Sequence, residues 1–288
     1  MSDSTSLLNL GELSKPATVF VEKISDAVGG IFRPWQIRRV AHAEADADRI
    51  RALSNIEITK LQQRALTRFL IEEAKKQNNI ESITAKALPQ IEEGAKPELV
   101  EDDWIVNFFD RCRLISDEEM QLLWSRVLAG EANLPGRYSK RTVNFLSSLD
   151  KSDAILFQSL IRYCWLIGKV TPLIYDIKDP IYNANGINFN TLTHLDEIGL
   201  ISFQTVGYYN RTNLPQKIAI HYYGKPVIIE FEKERDNELD TGKVLLSKMG
   251  QELVLICDDD PIQEFFNYVI EYWTTKKGLC VSSPINVH

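Results

Sequence analysis

The sequence predicts an α+β fold that is mainly helical, with an N-terminal long helix and a helical bundle followed by a winged-helix-like α/β module. Residues 35–88 contain neither Gly nor Pro and are rich in helix-forming residues. Amphipathic segments joined by short loops continue to Gly168, and beyond it short β-branched and aromatic runs alternate with Asn, Gly and Pro. We therefore divide the chain into the segments 1–34, 35–100, 101–168 and 169–288.

The composition is that of a globular protein with an acidic balance. Hydrophobic residues make up 44% of the chain and charged residues 25%, and the formal net charge is -7. Because binding to nucleic acid requires an excess of positive charge, this balance disfavours a nucleic-acid partner. The four cysteines form no CxxC pair, and no apolar run reaches the 18 residues of a membrane span. We expect a cytoplasmic protein with reduced thiols.

The N-terminal segment contains a short amphipathic helix over residues 17–28. Phe20 and Ile24 lie on its apolar stripe, and Phe32 and Trp35 follow beside three arginines. These four side chains are candidates for contact with a partner or with the surface of the inner membrane. The alternative, which we favour because the stripe is narrow and flanked by acidic residues, is that the helix packs onto the long helix or onto a second subunit.

The long helical segment has apolar residues spaced mostly by threes, which is loosely typical of a coiled coil. The polar run at residues 77–79 predicts a break, after which a shorter helix leads to Pro89. In the bundle that follows, Ser116 and Glu119 match a capping box, and Gly130 predicts the end of that helix.

The loop GEANLPGRYSKRT at residues 130–142 is a candidate site for an anion or an anionic partner. It concentrates Arg137, Lys140 and Arg141 around Ser139, which is placed to cap the next helix. Backbone N–H groups and positive charge together favour anion binding at such a turn. The alternative is an interhelical turn whose basic side chains are simply solvated. Asp150 then predicts the start of a helix that runs to Gly168.

The C-terminal segment predicts a helix over residues 188–198 and four strands. Turn residues 224–226 separate the middle two strands, Ser247 is a predicted cap, and Pro261 opens a final helix. The predicted strands are residues 200–203, 217–223, 227–232 and 243–246. A helix, a strand pair and closing helices resemble a winged-helix arrangement, although the strands exceed those of a wing.

The sequence shows no pattern of a known catalytic or metal centre. None of the four histidines stands at motif spacing from a nucleophile or a metal partner. Two acidic clusters precede predicted helices, where carboxylates stabilise the N-terminal dipole, and they lack calcium-loop spacing. We expect no cofactor, no metal and no enzymatic activity. A pocket that gathered His194 or His221 with carboxylates would favour a hydrolase instead.

Two resemblances to known families rest on particular stretches. RPWQIRRVAHAEADADRI at 33–50, NNIESIT at 78–84 and the block from EDDWIV to AILF at 101–157 resemble a bacterial family known only as a domain of unknown function. That resemblance covers most of residues 17–165 and is weaker in the C-terminal half. The order of the helix, the loop, the SKRT helix and the LDKSDA helix is more loosely similar to bacterial abortive-infection proteins, which limit phage spread by disabling the infected cell.

These observations favour a bacterial interaction or regulatory protein that self-associates or docks on a protein partner, with a role in phage defence implied by the second resemblance. We expect a homo-oligomer. One alternative is a peripheral membrane effector that uses the N-terminal amphipathic segment. Another is a DNA-binding regulator that uses the winged-helix-like module, against which the net acidity counts.

Overall fold

The computed structural model describes residues 13–28, 59–257 and 259–282. The chain divides into two compact units, Met1–Ser148 and Leu149–His288. The second unit therefore begins before residue 169, where the sequence pattern changes and where we expected the boundary.

The described part of the first unit is helical. Two short 3-10 turns, Leu88–Gln90 and Pro97–Leu99, separate its second and third α-helices. The α-helices are α1 (Lys15–Val28), α2 (Lys60–Ala87), α3 (Asp102–Cys112), α4 (Glu118–Asn133) and α5 (Lys140–Leu146).

Helix α2 is continuous through residues 77–79, so the predicted break is wrong. Asn79 is only 3% exposed, and its side-chain Nδ2 donates to the backbone oxygen of Arg113 at 2.9 Å and to Ser116 Oγ at 3.1 Å. Because tertiary partners satisfy this amide, it does not compete with the helix backbone. The second half of α2 packs against α4.

Helix α4 also differs from its predicted ends. Its N-cap is Asp117 rather than Ser116, and the Asp117 carboxylate accepts from the backbone N–H groups of the two residues that follow Glu118. The helix continues past Gly130. A Cβ at that position would lie 2.8 Å from Cε2 of Tyr138, so Gly130 is explained by close packing of the Tyr138 ring and not by a helix stop.

An aromatic cluster forms the core between α3 and α4. The ring centroids of Trp104 and Phe108 are 5.1 Å apart, and those of Phe108 and Trp124 are also 5.1 Å apart. The indole N–H of Trp104 donates to the backbone oxygen of Tyr138 at 2.7 Å. These contacts fix the loop before α5 to the core.

The second unit combines helices with antiparallel sheets. Its helices are α6 (Lys151–Ile161), α7 (Pro180–Asn183), α8 (Phe189–Glu197), α9 (Lys248–Leu253) and α10 (Gln263–Glu271), and a π-helical turn follows at Tyr272–Lys276. Its strands are β1 (Cys164–Ile167), β2 (Lys169–Pro172), β3 (Ile201–Phe203), β4 (Tyr209–Leu214), β5 (Lys217–Tyr222), β6 (Lys225–Glu230), β7 (Asn237–Gly242), β8 (Val244–Leu246) and β9 (Cys280–Ser282).

The strands form one five-stranded sheet in the order β2-β1-β5-β6-β9 and two two-stranded sheets, β3-β8 and β4-β7. The β5-β6 hairpin closes through Tyr223 and Gly224, whose φ angles of 47° and 77° are those of a type I′ turn. Lys225 and Pro226, which we expected in the turn, begin β6 instead. The five-stranded sheet is larger than the strand pair of a wing.

The predicted helix from Asp150 to Gly168 ends early. Helix α6 stops at Ile161, and Trp165 lies in β1, where its ring centroid is 5.0 Å from that of Tyr222 and 5.5 Å from that of Phe266. Burial of this indole in the sheet core outweighs the helical pattern. The predicted caps at Ser139, Asp150 and Ser247 are confirmed.

These elements confirm an α+β fold that is mainly α. Across the described residues, every helix is too short or too polar to cross a membrane.

Candidate functional site

The first half of α2 presents apolar side chains to solvent. Leu61 is 67% exposed, Phe69 58% and Leu70 52%, and residues 60–75 are all exposed. Large apolar side chains that are exposed singly are normal in proteins, but a contiguous group of them marks a contact surface.

These side chains continue the helix face that is buried further along α2. At 3.6 residues per turn, Phe69 lies on the same side of the helix as Ile80, Ile83 and Ala87, which are all within the core. We call this exposed surface the α2 face. Its members are Leu61, Ala65, Leu66, Phe69 and Leu70.

Ile71 provides an internal comparison, since it is 65% exposed on the opposite side of α2. Asn78 lies two helical turns further along the same side of α2 and is also exposed. The apolar character of the α2 face is therefore continuous with the core, whereas Ile71 is a single exposed residue.

Charges along this half of α2 change sign from its beginning to its middle. Lys60, Arg64 and Arg68 come first, Glu72 and Glu73 follow, and Lys75 and Lys76 come next. Arg68 Nε lies 3.4 Å from Glu72 Oε1 within the helix, an exposed pair that contributes little stability by itself. The acidic pair is thus flanked by basic residues on both sides.

The predicted anion site at residues 130–142 is already occupied by a side chain of the protein. Glu131 is 2% exposed, and its carboxylate accepts from the backbone N–H of Gly136 at 2.6 Å and from that of Tyr138 at 2.8 Å. Two of the backbone donors that we assigned to an anion thus bind an internal carboxylate. Sequence reasoning missed Glu131 because an acidic residue inside an amphipathic helix is expected to face solvent.

The remaining candidates of this loop have different surroundings. The Ser139 hydroxyl caps α5 by accepting from the backbone N–H of Thr142, and Lys140 Nζ lies 3.4 Å from Asp103 Oδ2. Arg137 is half-buried beside Tyr138, and Arg141 is exposed. Ser139 and Lys140 thus have partners within the first unit.

The N-terminal candidates are divided by the structure. Phe20 and Ile24 are fully buried where α1 packs against α3 and the Pro97–Leu99 turn. They are core residues and do not form a membrane or partner surface. The alternative of internal packing describes them, but α1 packs onto α3 and not onto the long helix. Phe32 and Trp35 lie outside the described residues.

The second unit contains a histidine and carboxylate pair. His194 Nε2 lies 2.8 Å from Asp153 Oδ1, and the other oxygen of Asp153 accepts from the backbone N–H of Asp150 at the start of α6. The pair connects α8 to α6. No group of three or more potential metal ligands occurs within the described ranges.

Searches of curated proteins and of solved structures find no match to this chain. Residues 63–270, by contrast, match the family described as "Protein of unknown function (DUF2806)". The match reaches far into the second unit, where we had expected only a weak resemblance, and it covers most of the chain. The chain therefore belongs to the DUF2806 family of proteins of unknown function.

Proposed function

We propose that this protein is an interaction protein that works through self-association of its helical first unit. The observation that carries the proposal is the α2 face. The same side of one helix is buried against α4 in its second half and apolar but exposed in its first half. A second helix that continued the packing would remove these side chains from water, which is the main driving force for association.

The partner that we propose is a second copy of this chain, in antiparallel orientation. In that arrangement, with the two helices crossing near Leu70, Arg68 of one copy lies near Glu72 of the other at the edge of the α2 face. Two antiparallel helices also meet through the same surface in both copies, as a twofold dimer requires. The α2 face is the surface that we propose for the predicted homo-oligomer.

The similarity of the SKRT and LDKSDA helices to abortive-infection proteins supports a setting in phage defence for this self-association. In that setting, the second unit would regulate when the helical units engage. This part of the proposal rests on the resemblance, and the α2 face supports self-association independently of it.

Co-purification of two differently tagged copies tests the proposal. Co-expressed wild-type copies should be recovered together, and Phe69→Glu should abolish the recovery, because it places a carboxylate at the centre of the α2 face. Ile71→Glu is the matched control, with the same charge change at an equally exposed site on the opposite side of α2. Recovery that survives Phe69→Glu, or that is lost equally in Ile71→Glu, contradicts the proposal.

A further inference from the structure

The second unit contains a cleft of about 750 Å³ at the place where strand β2 meets the β4-β7 and β3-β8 sheets. Side chains that line it include Lys169, Thr171, Tyr209, Arg211, Lys248 and Gln251. We call this the basic cleft. Neither the predicted loop nor the α2 face contributes to it, since both lie in the first unit.

Three cations reach the basic cleft from three different elements. Lys169 and Lys248 are exposed, while Arg211 is half-buried and donates from Nη2 to the backbone oxygen of Ile167. The guanidinium carries five N–H donors, so this contact leaves others for a ligand. Within the described part of the chain, the structure shows no carboxylate within ion-pair distance of any of the three cations.

The lining of the basic cleft differs in charge from the chain as a whole. The chain as a whole has a formal net charge of -7, yet the side chains that line the cleft include no Asp or Glu. The carboxylate of Glu238 lies at its rim, where Asn210 Nδ2 is 3.5 Å from Glu238 Oε2. The cleft therefore concentrates positive charge at one place in an acidic chain, which favours a negatively charged ligand.

Hydrogen bonds connect the elements that frame the cleft. Gln251 Nε2 donates to the backbone oxygen of Val170 at 2.6 Å, and Thr241 Oγ1 donates to that of Tyr209 at 2.9 Å. These bonds tie α9 to β2 and β7 to β4, so the cations are carried on elements with fixed positions. The backbone of the site therefore needs little rearrangement when a ligand binds.

We infer that the basic cleft binds a small phosphate compound with at least two negative charges, of the pyrophosphate or nucleoside diphosphate class. Its volume lies in the range of small-molecule sites. Arginine recognises phosphate oxygens through paired N–H donors, and two lysines add charge without fixed geometry. Tyr209 and the neighbouring apolar side chains offer a surface for the organic part of an ester.

Isothermal titration of the full chain with inorganic pyrophosphate, ADP and citrate tests this inference. We expect pyrophosphate or ADP to bind more tightly than citrate, and the affinity to fall with added salt. The double variant Lys169→Ala and Lys248→Ala should weaken binding by about tenfold or more. The matched control is Lys217→Ala with Lys225→Ala, which removes the same charge from exposed sites of the same unit outside the cleft.

Wild-type protein provides a second readout that needs no variant. Bound pyrophosphate should protect Lys169 and Lys248 from acetylation by an amine-reactive reagent, as measured by peptide mass spectrometry, and should leave Lys217 and Lys225 unprotected. Absence of binding by both phosphate probes, tighter binding of citrate, or equal weakening in the two double variants would overturn the inference.

Discussion

Removal of one buried hydroxyl should destabilise the second unit measurably. The Tyr222 hydroxyl donates to the backbone oxygen of Arg162 at 2.8 Å and accepts from the backbone N–H of Ile262 at 2.8 Å. Tyr222→Phe removes both bonds and leaves a buried N–H and a carbonyl without this partner. With roughly 1 kcal/mol for each bond and a further penalty for the unsatisfied groups, we expect a loss of about 2–3 kcal/mol.

The same hydroxyl makes stability depend on alkaline pH. Burial raises the pKa of Tyr222 from 10.0 to about 12. A phenol whose pKa is higher in the folded state stabilises that state below pH 10, and the contribution is lost as the pH rises from 10 through about 12. Wild-type stability should therefore decrease over this interval, and the decrease should be smaller in Tyr222→Phe.

Urea denaturation followed by near-ultraviolet circular dichroism measures both effects. At pH 7 the matched control is Tyr223→Phe, because it removes a hydroxyl from the neighbouring, 39% exposed residue. We expect the control to change the free energy of unfolding by less than about 0.5 kcal/mol. If Tyr222→Phe proved no more destabilising than Tyr223→Phe at pH 7, the hydrogen-bonding argument would be refuted.

Two further predictions concern packing and thiol reactivity. Gly242→Ala should destabilise the second unit by about 3 kcal/mol or more in the same denaturation assay. Gly242 has a φ of 86°, and an added Cβ would clash with the backbone oxygen of Ile174. A loss of stability below about 1 kcal/mol would contradict this prediction. Iodoacetamide should alkylate the exposed Cys280 in the native protein, but Cys112 and Cys164 only after unfolding. Burial makes the Cys112 and Cys164 thiols inaccessible and raises their pKa. Alkylation of Cys112 or Cys164 in the native protein, detected by peptide mass spectrometry, would contradict this prediction.

Sequence patterns predicted the elements whose local signals agree with their tertiary surroundings. The amphipathic helices, the caps at Ser139 and Ser247 and the β5-β6 hairpin have periodicity or turn residues that suffice to locate them. Strands β4 and β7 were missed because their sequences, YNRTNL and NELDTG, are polar and lack a hydrophobic alternation. They are defined by pairing with each other, which a local pattern does not show.

The candidate sites were less predictable because they depend on burial. The apolar spacing along residues 35–88 predicted a helical surface, but only the structure shows that the first half of α2 is exposed while the second half is packed. Glu131 was missed for the opposite reason, since its burial contradicts the usual surface preference of glutamate. Lys169, Arg211 and Lys248 are distant in sequence, and the arrangement of three sheets and α9 brings them to one cleft.

The molar mass of the full chain across a concentration series tests the central claim, self-association through the α2 face, most directly. In sedimentation velocity from about 1 to 100 µM, the wild type should shift from the 32.9 kDa monomer to a dimer. Phe69→Glu should remain monomeric, and Ile71→Glu should behave as the wild type. A wild type that stays at the monomer mass at every concentration would contradict the account.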